Sequence, residues 1–246
     1  MTPAEIARIT DHDTLLSRWE ADRYVSGGSE GFLKDGPVDR SQFDREPRRV
    51  LFILKDPSTD DYRQPRFQSD LRVWAKHADS VYGSTWLNVA RWARAALSGP
   101  HDDADSRAAL SRPEADRILA RIAVVNLKKS AFNARGEGNT TADHLMVHAY
   151  ARRDRDLLRR QVALIAPHLI VGCGVAEPMI WLFDLTPEEL KGRAARKADG
   201  AQVHVVRHSA EAPQIVLTRH PGRAPVRPEV GPSVAEELRT VLLGTS

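Results

Sequence analysis

The sequence predicts an α/β fold: a three-layer α/β/α sandwich built on a central, mainly parallel four-stranded sheet. Short apolar runs alternate with segments of helical periodicity along the chain, which is the order of repeated βαβ units. The runs are apolar at consecutive positions, as in strands that helices cover on both faces. The 246 residues are enough for one sizeable core, so we expect a single domain over residues 1–246, with residues 1–47 as an N-terminal helical and loop extension.

The first half of the chain predicts helices on either side of one strand. Leu15, Leu16 and Trp19 form an apolar stripe in residues 3–25, which indicates one or two short helices there. Val50–Leu54 is the first buried strand, because its apolar run is short and lies between charged residues. The other segments are predicted as a glycine-rich loop at 26–37, a polar approach at 39–47, helices at 70–78 and 85–97, and a connector at 99–111.

The second half predicts the rest of the sheet. Pro113 opens a helix, because proline suits the first helical turn, and residues 122–126 (IAVVN) form the second strand. Residues 143–165 predict one long helix whose arginines form a solvated outer face. The remaining segments are predicted as a strand at 168–173, a helix at 174–183, a basic surface turn at 191–200, strands at 202–207 and 214–218, and a terminal helix at 233–243.

Composition excludes several classes of protein. No apolar run approaches the ~20 residues of a membrane span, and the first residues lack the pattern of a signal peptide, so we expect a cytoplasmic protein without membrane contact. The single cysteine, Cys173, excludes an internal disulfide and a cysteine-ligated zinc or iron–sulfur site within one chain. The net charge of +3 permits binding to nucleic acid where the arginines gather on one face.

Polar residues follow three of the predicted strands. Asp56 comes after the first strand, Asn126 ends the second, and His220 follows the last. Right-handed crossovers bring the carboxyl ends of parallel strands to one edge of a sheet, where ligands bind. Asp56 taken alone fits a turn-capping role equally well, since aspartate before Pro57 commonly caps a turn. The convergence of the three strand ends favours a shared functional pocket.

Four segments at these positions resemble the motifs of the uracil-DNA glycosylase superfamily. The segments are LFILKDPS (51–58), VVNLKKSAF (124–132), APHLIVGCG (166–174) and VLTRHPGRAP (216–225). They occur in the family's order, and the resemblance covers nearly all of the chain from Val50 onwards. It implies a monomeric DNA glycosylase that needs no cofactor or metal. The cysteine count excludes the branches of the family that carry an iron–sulfur cluster.

The resemblance implies a role for each motif residue in breaking the N-glycosidic bond. The Asp56 carboxylate stabilises positive charge on the sugar and orients water, and His220 stabilises negative charge on the departing base. Asn126 reads the edge of a base that has been rotated out of the duplex. Further contacts to the base are expected from Lys55, Pro57, Ser58 and Phe67, and contacts to DNA phosphates from Lys128, Lys129, Arg219, Arg223 and Arg227. Core packing is an equal alternative for Phe67.

One departure from the family bears on the excised base. Uracil-specific members carry an aromatic residue after the Asp-Pro pair, which blocks bases substituted at carbon 5, whereas this chain has the small Ser58. We therefore expect a C5-modified pyrimidine, for example the hydroxymethylated or glucosylated cytosine of phage DNA, and hence a role in antiviral defence. Ordinary uracil excision in DNA repair is the alternative.

Other readings of the same residues stay open. Asp56, Asp60, Asp61 and His220 are suitable ligands for a divalent cation, which would make the protein a nuclease. Asp60 and Asp61 are also alternatives to Asp56 for orienting the water. A non-catalytic reader of modified bases is a third class. His144 and His148 have the spacing of metal ligands, but the sequence offers no third ligand, and GCGVAE (172–177) resembles a dinucleotide fingerprint only by chance.

Overall fold

A computed structural model describes residues 1–24, 32–55, 70, 72, 84–98, 110–130, 144–191, 196–198, 201–206, 212–223, 234–235 and 238–239 of the chain. Its strands are β1 (Gly36–Pro37), β2 (Val50–Leu54), β3 (Ala123–Asn126), β4 (Leu169–Cys173), β5 (Arg196–Ala198), β6 (Ala201–Val206) and β7 (Gln214–Thr218). They form one sheet in the order β1-β3-β2-β4-β7-β6-β5. The four strands in the middle, β3, β2, β4 and β7, are parallel to one another, whereas β1, β6 and β5 pair antiparallel.

The helices cover the two faces of this sheet. They are α1 (Pro3–Ala7), α2 (His12–Arg23), α3 (Arg40–Phe43), α4 (Ser84–Leu97), α5 (Arg112–Leu119), α6 (His144–Arg153), α7 (Arg155–Ile165), α8 (Ala176–Leu182) and α9 (Pro187–Lys191), with a 3-10 turn at Pro221–Arg223. Capping boxes begin α1 and α5, which pairs two of the free backbone N–H groups at the start of each helix. None of the described helices has the length and apolar character needed to cross a membrane.

The strand β2 shows how the two faces are built. Phe52 packs in a cluster with α4 and α5, while Leu51 and Ile53 pack in a second cluster with α1, α2, α6, α7 and α8. All five residues of β2 are buried, because consecutive side chains point to opposite faces and helices cover both. The prediction of an α/β fold with helices on both faces is confirmed. The predicted count of four strands is wrong, because antiparallel strands extend the parallel centre at both edges.

The predicted long helix over residues 143–165 is also wrong, because it is broken at Asp154. This residue has non-helical φ and ψ angles of −104° and 16°, and its buried carboxylate accepts hydrogen bonds of 2.8 and 2.7 Å from the Arg153 guanidinium. Aspartate is a weak helix former, since its side chain competes for local hydrogen bonds. Two of the predicted solvated arginines instead tie α7 to neighbouring segments: Arg159 donates to the carbonyl of Leu182, and Arg160 to that of Ile9.

Short elements account for the other differences. The strand β1 lies in the predicted glycine-rich loop, and β5 lies in the predicted basic turn at 191–200. The apolar stripe of Leu15, Leu16 and Trp19 is wholly buried, so the N-terminal segment belongs to the core. The predicted helix at 70–78 lies almost entirely outside the described residues. The described part of the predicted terminal helix, 234–235 and 238–239, is helical.

Candidate functional site

The carboxyl ends of the four parallel strands form one edge of the sheet, and the predicted site residues described by the structure lie along it. Asn126 ends β3 beside Leu54 of β2, and Lys55 follows directly. At the far side of the same edge, Thr218 of β7 pairs with the last residue of β4. Arg219 and His220 follow Thr218 in the chain. The predicted placement at one edge of the sheet therefore holds for Asn126 and His220, whereas Asp56, the third predicted residue, lies outside the described residues.

Several predicted site residues lie outside the described part of the chain. They are Asp56, Pro57, Ser58, Asp60, Asp61, Phe67 and Arg227, together with the side chain of Arg223. Their roles remain predictions from the sequence.

Lys55 joins the edge of the sheet to helix α6. Its side chain is almost completely buried, and Nζ lies 3.2 Å from Nε2 of His144. An ammonium group only donates, so this contact requires His144 to accept on an unprotonated Nε2. One turn further along α6, Nδ1 of His148 lies 3.6 Å from Oε1 of Glu177. The described residues contain no group of three side chains arranged to hold a metal ion.

Asn126 is held by an acid that sequence reasoning missed. The backbone N–H of Asn126 donates to Oδ2 of Asp35 at 2.7 Å, and its side-chain Nδ2 donates weakly to the same oxygen at 3.4 Å. Both residues are buried. The ionised carboxylate only accepts, so the amide of Asn126 turns its NH₂ group towards Asp35. Asp35 lies 91 residues before Asn126 in the chain, inside a predicted loop, and no sequence pattern links the two.

Lys128 and Lys129 are not surface cations. Lys129 has no exposed surface, and its Nζ donates to both carboxylate oxygens of Asp35, at 2.6 and 2.8 Å. Lys128 is 2% exposed, and its Nζ donates to the carbonyl of Ser130 at 2.7 Å. These positions contradict the predicted contacts of the two lysines with DNA phosphates. A charged side chain is buried only where a partner compensates the loss of hydration, and here both partners belong to the protein.

His220 is fixed by close packing at the end of β7. Its Nδ1 accepts a hydrogen bond from the backbone N–H of Gly222 at 3.1 Å, so the neutral ring carries its proton on Nε2. Gly174, with φ of +68°, lies against it: a Cβ there would be 3.0 Å from the backbone nitrogen of His220. Helix α4 holds the following turn, because Asn88 donates to the carbonyl of Pro221 at 2.9 Å. The imidazole is therefore oriented by its hydrogen bond with Gly222, and two neighbouring elements hold the backbone on either side of it.

Arg219 carries a positive charge that no described acid neutralises. Within the described residues, its Nε and Nη2 are shielded from water and have no hydrogen-bond acceptor. The hydroxyl oxygen of Thr218 is likewise buried without a partner there. Buried polar groups are normally paired, and a guanidinium can donate two parallel hydrogen bonds to an anion such as phosphate. The end of β7 thus offers unused donors beside His220.

The edge as a whole presents an amide, an imidazole with its proton on Nε2, and cationic side chains. Amide and imidazole groups recognise and stabilise the polar edge of a base or a developing oxyanion. Comparison of the sequence with protein-family models and with curated proteins yields no match in either case.

Proposed function

We propose that the protein is a DNA glycosylase, which rotates a pyrimidine out of DNA and hydrolyses its N-glycosidic bond to leave an abasic site. The observation that carries the proposal is that Asn126, at the end of β3, and His220, after β7, lie along the same edge of the parallel strands, with β2 and β4 between them. An amide that reads a base and a proton donor for the departing base are both needed there. The resemblance of the motifs supplies the remaining role, that of Asp56.

The reaction separates charge, and each residue acts on one part of it. As the bond from the sugar to the base breaks, electrons move to the base and positive charge grows on the sugar. The Nε2–H of His220 stabilises the negative charge on a base oxygen, an interaction stronger in the transition state than in the substrate. Asp56 stabilises the sugar and orients the water that replaces the base. Asn126 hydrogen-bonds the pyrimidine edge.

Arg219 is the best-supported contact to the DNA backbone. Unlike Lys128 and Lys129, the residue is only partly buried, although its Nε and Nη2 are shielded from water and lack a described acceptor. It directly precedes His220, so a phosphate bound to it would lie next to the proposed chemistry. Such a contact helps to offset the few kcal/mol that unstacking of a base costs. Arg223 and Arg227 are proposed as further phosphate contacts from the sequence alone. Lys128 and Lys129 are left out because they are buried.

The proposed substrate is a cytosine substituted at carbon 5, because Ser58 leaves room where uracil-specific enzymes place an aromatic ring. Foreign DNA with hydroxymethylated or glucosylated cytosine is the corresponding biological target. Uracil is the alternative substrate.

The test is an assay for abasic sites in buffer that contains EDTA. Duplexes with uracil, a thymine mismatch, hydroxymethylcytosine or glucosylated cytosine are incubated with the protein and then cleaved by alkali. We expect alkali-dependent cleavage of one substrate, which is lost in Asp56→Ala and reduced at least about 100-fold in His220→Ala. The matched control is Asp44→Asn, since Asp44 is an exposed acid paired only with Arg40 among the described residues.

Two other outcomes would reject the proposal. Strand breaks that form without alkali and disappear with EDTA would identify a metal-dependent nuclease. Tight binding to one modified duplex with no product, equal in wild type and Asp56→Ala, would identify a non-catalytic reader.

A further inference from the structure

Behind Asn126 lies a closed network of buried polar side chains. Asp35, Lys129 and Gln161 each have no exposed surface. Nζ of Lys129 donates to Asp35 and, at 2.9 Å, to Oε1 of Gln161. Nε2 of Gln161 donates to Oδ1 of Asp35 at 2.8 Å and lies 3.2 Å from Nε2 of His12.

The Asp35 carboxylate is the centre of this network. It receives four donors: the backbone and side-chain nitrogens of Asn126, the Lys129 ammonium and the Gln161 amide. A carboxylate offers about four lone-pair sites, so its accepting capacity is filled. Lys129 and Gln161 fix the carboxylate from one side, which leaves Oδ2 directed at Asn126.

Stability alone does not account for such a pair. Replacing a buried ion pair by well-packed apolar residues is often neutral or stabilising, because burial of two charges is costly. What an apolar replacement cannot supply is an acceptor for Asn126. If the Asn126 amide turned over, its carbonyl oxygen would face the carboxylate oxygen, lone pair against lone pair. The network therefore permits one orientation of this amide.

We propose that Asp35 is a positioning residue for Asn126, which fixes the amide with its NH₂ towards Asp35 and its carbonyl oxygen away from it. The consequence rests on the proposed function: a fixed amide reads one pattern of donors and acceptors on a pyrimidine edge. Uracil-type bases carry N–H at ring position 3, whereas cytosine-type bases carry a lone pair there. An amide that is free to rotate binds both patterns. The fixed orientation of the Asn126 amide therefore gives discrimination between uracil-type and cytosine-type bases.

The test compares two charge-neutral double variants. D35L/K129M removes the ion pair and the acceptor together. D35N/K129M removes the ion pair, but the new side-chain amide at position 35 keeps one carbonyl oxygen that accepts from Asn126. The NH₂ group of that amide donates to the Gln161 side-chain oxygen once the Gln161 amide has rotated. Urea denaturation of both variants first selects conditions in which each is folded. Neither variant leaves an unpaired charge in the core, so folding is expected in both.

The first readout does not depend on enzymatic activity. Nuclear magnetic resonance follows the backbone and side-chain amide protons of Asn126 in the folded proteins. We expect the backbone proton of Asn126 to shift upfield and to exchange faster in D35L/K129M, and to stay close to wild type in D35N/K129M. Unchanged Asn126 signals in D35L/K129M would overturn the positioning role.

The second readout is the ratio of kcat/KM for cytosine-type and uracil-type substrates. We expect D35L/K129M to lose about ten-fold or more of this discrimination, which corresponds to one good bidentate contact, and D35N/K129M to restore it. A ratio unchanged in both variants would overturn the specificity role. If wild type releases no base while Asn126 responds as described, the proposed glycosylase function fails and the positioning of Asn126 by Asp35 stands.

Discussion

His12 shows how a single buried side chain makes stability depend on pH. The ring is 7% exposed and packs against Gly36, where a Cβ would lie 2.4 Å from Cε1 of the ring. Burial lowers the pKa of His12 to about 4, because the charged imidazolium loses its hydration. The folded protein therefore holds His12 neutral, with Nε2 beside the amide nitrogen of Gln161.

The free energy of unfolding is expected to fall as the pH drops from 6.5 to 4. In this window the unfolded chain binds a proton at His12 and the folded protein does not, so acid favours unfolding. A pKa change from 6.5 to about 4 corresponds to about 3 kcal/mol. Urea denaturation at several pH values measures it, with His12→Asn as the comparison. The variant should lose stability at neutral pH but show a smaller loss with acid; an equal slope in both proteins would contradict this role.

Arg219 is expected to set part of the salt dependence of DNA binding. Each phosphate neutralised by a cation contributes about 0.9 to the slope of log K against log salt concentration. Arg219→Ala should therefore reduce this slope by about 0.9, as measured by fluorescence anisotropy on a duplex with an abasic analogue. The control is Arg40→Ala, which removes an exposed arginine paired with Asp44. Equal slopes in the two variants would show that Arg219 contacts no phosphate.

At the scale of elements, the close approach of β4 and β7 positions His220. The backbone N–H of Gly174 donates to the carbonyl of Thr218 at 2.6 Å, and the positive φ of Gly174 favours glycine over residues with a side chain. A side chain at position 174 meets the backbone of His220, which has little freedom to move. The end of β4 therefore forms one wall of the proposed site.

Gly174→Ala should lower base release by more than its effect on stability explains. The substitution strains the left-handed backbone by roughly 1–2 kcal/mol and displaces His220, and a displacement near 1 Å can cost about 100-fold in rate. Gly172→Ala is the matched control, because a Cβ there meets buried side-chain atoms of Leu217 and Met179, at 3.0–3.3 Å, and not the backbone of His220. Urea denaturation and kcat/KM are measured for both. Equal losses of activity in the two variants would contradict the role of Gly174.

The elements that bury the most apolar surface were the ones predicted most accurately from the sequence. The strands β2, β4 and β7 were predicted closely, because a buried central strand is a continuous apolar run. The two-residue strand β1 and the three-residue strand β5 have too few residues to show a pattern. The break at Asp154 was missed because helical periodicity continues on both sides of it. These errors lie at the edges of the sheet and at the break between two helices, where single contacts decide the structure.

Only those residues of the candidate site that end a predicted strand, or directly follow one, could be identified from the sequence. Asn126 and His220 were found because they stand at strand ends. Asp35 and the burial of Lys129 were not found, because they depend on a contact between residues 94 positions apart. A basic pair after a strand looks the same in sequence whether it faces DNA or an internal carboxylate.

At the scale of the whole molecule, the residues that stabilise the fold and the residues proposed for the chemistry lie in different parts of the structure. Two apolar clusters fill the two faces of the sheet, while the carboxyl ends of the parallel strands carry the polar side chains. The net charge of +3 is small, so the proposed binding to DNA would depend on local groups such as Arg219 rather than on the overall field. Substitutions at this edge should therefore alter activity with less effect on folding than substitutions within the clusters.

The most direct test of the central claim is to identify the small molecule that the protein releases from modified DNA. Duplexes with each candidate base are incubated with wild type and with Asp56→Ala in EDTA buffer, and the soluble products are analysed by mass spectrometry. A glycosylase releases the free base, in an amount equal to the abasic sites formed, and Asp56→Ala releases none. Release of nucleotides, or of no small molecule from any substrate, would contradict the proposed function.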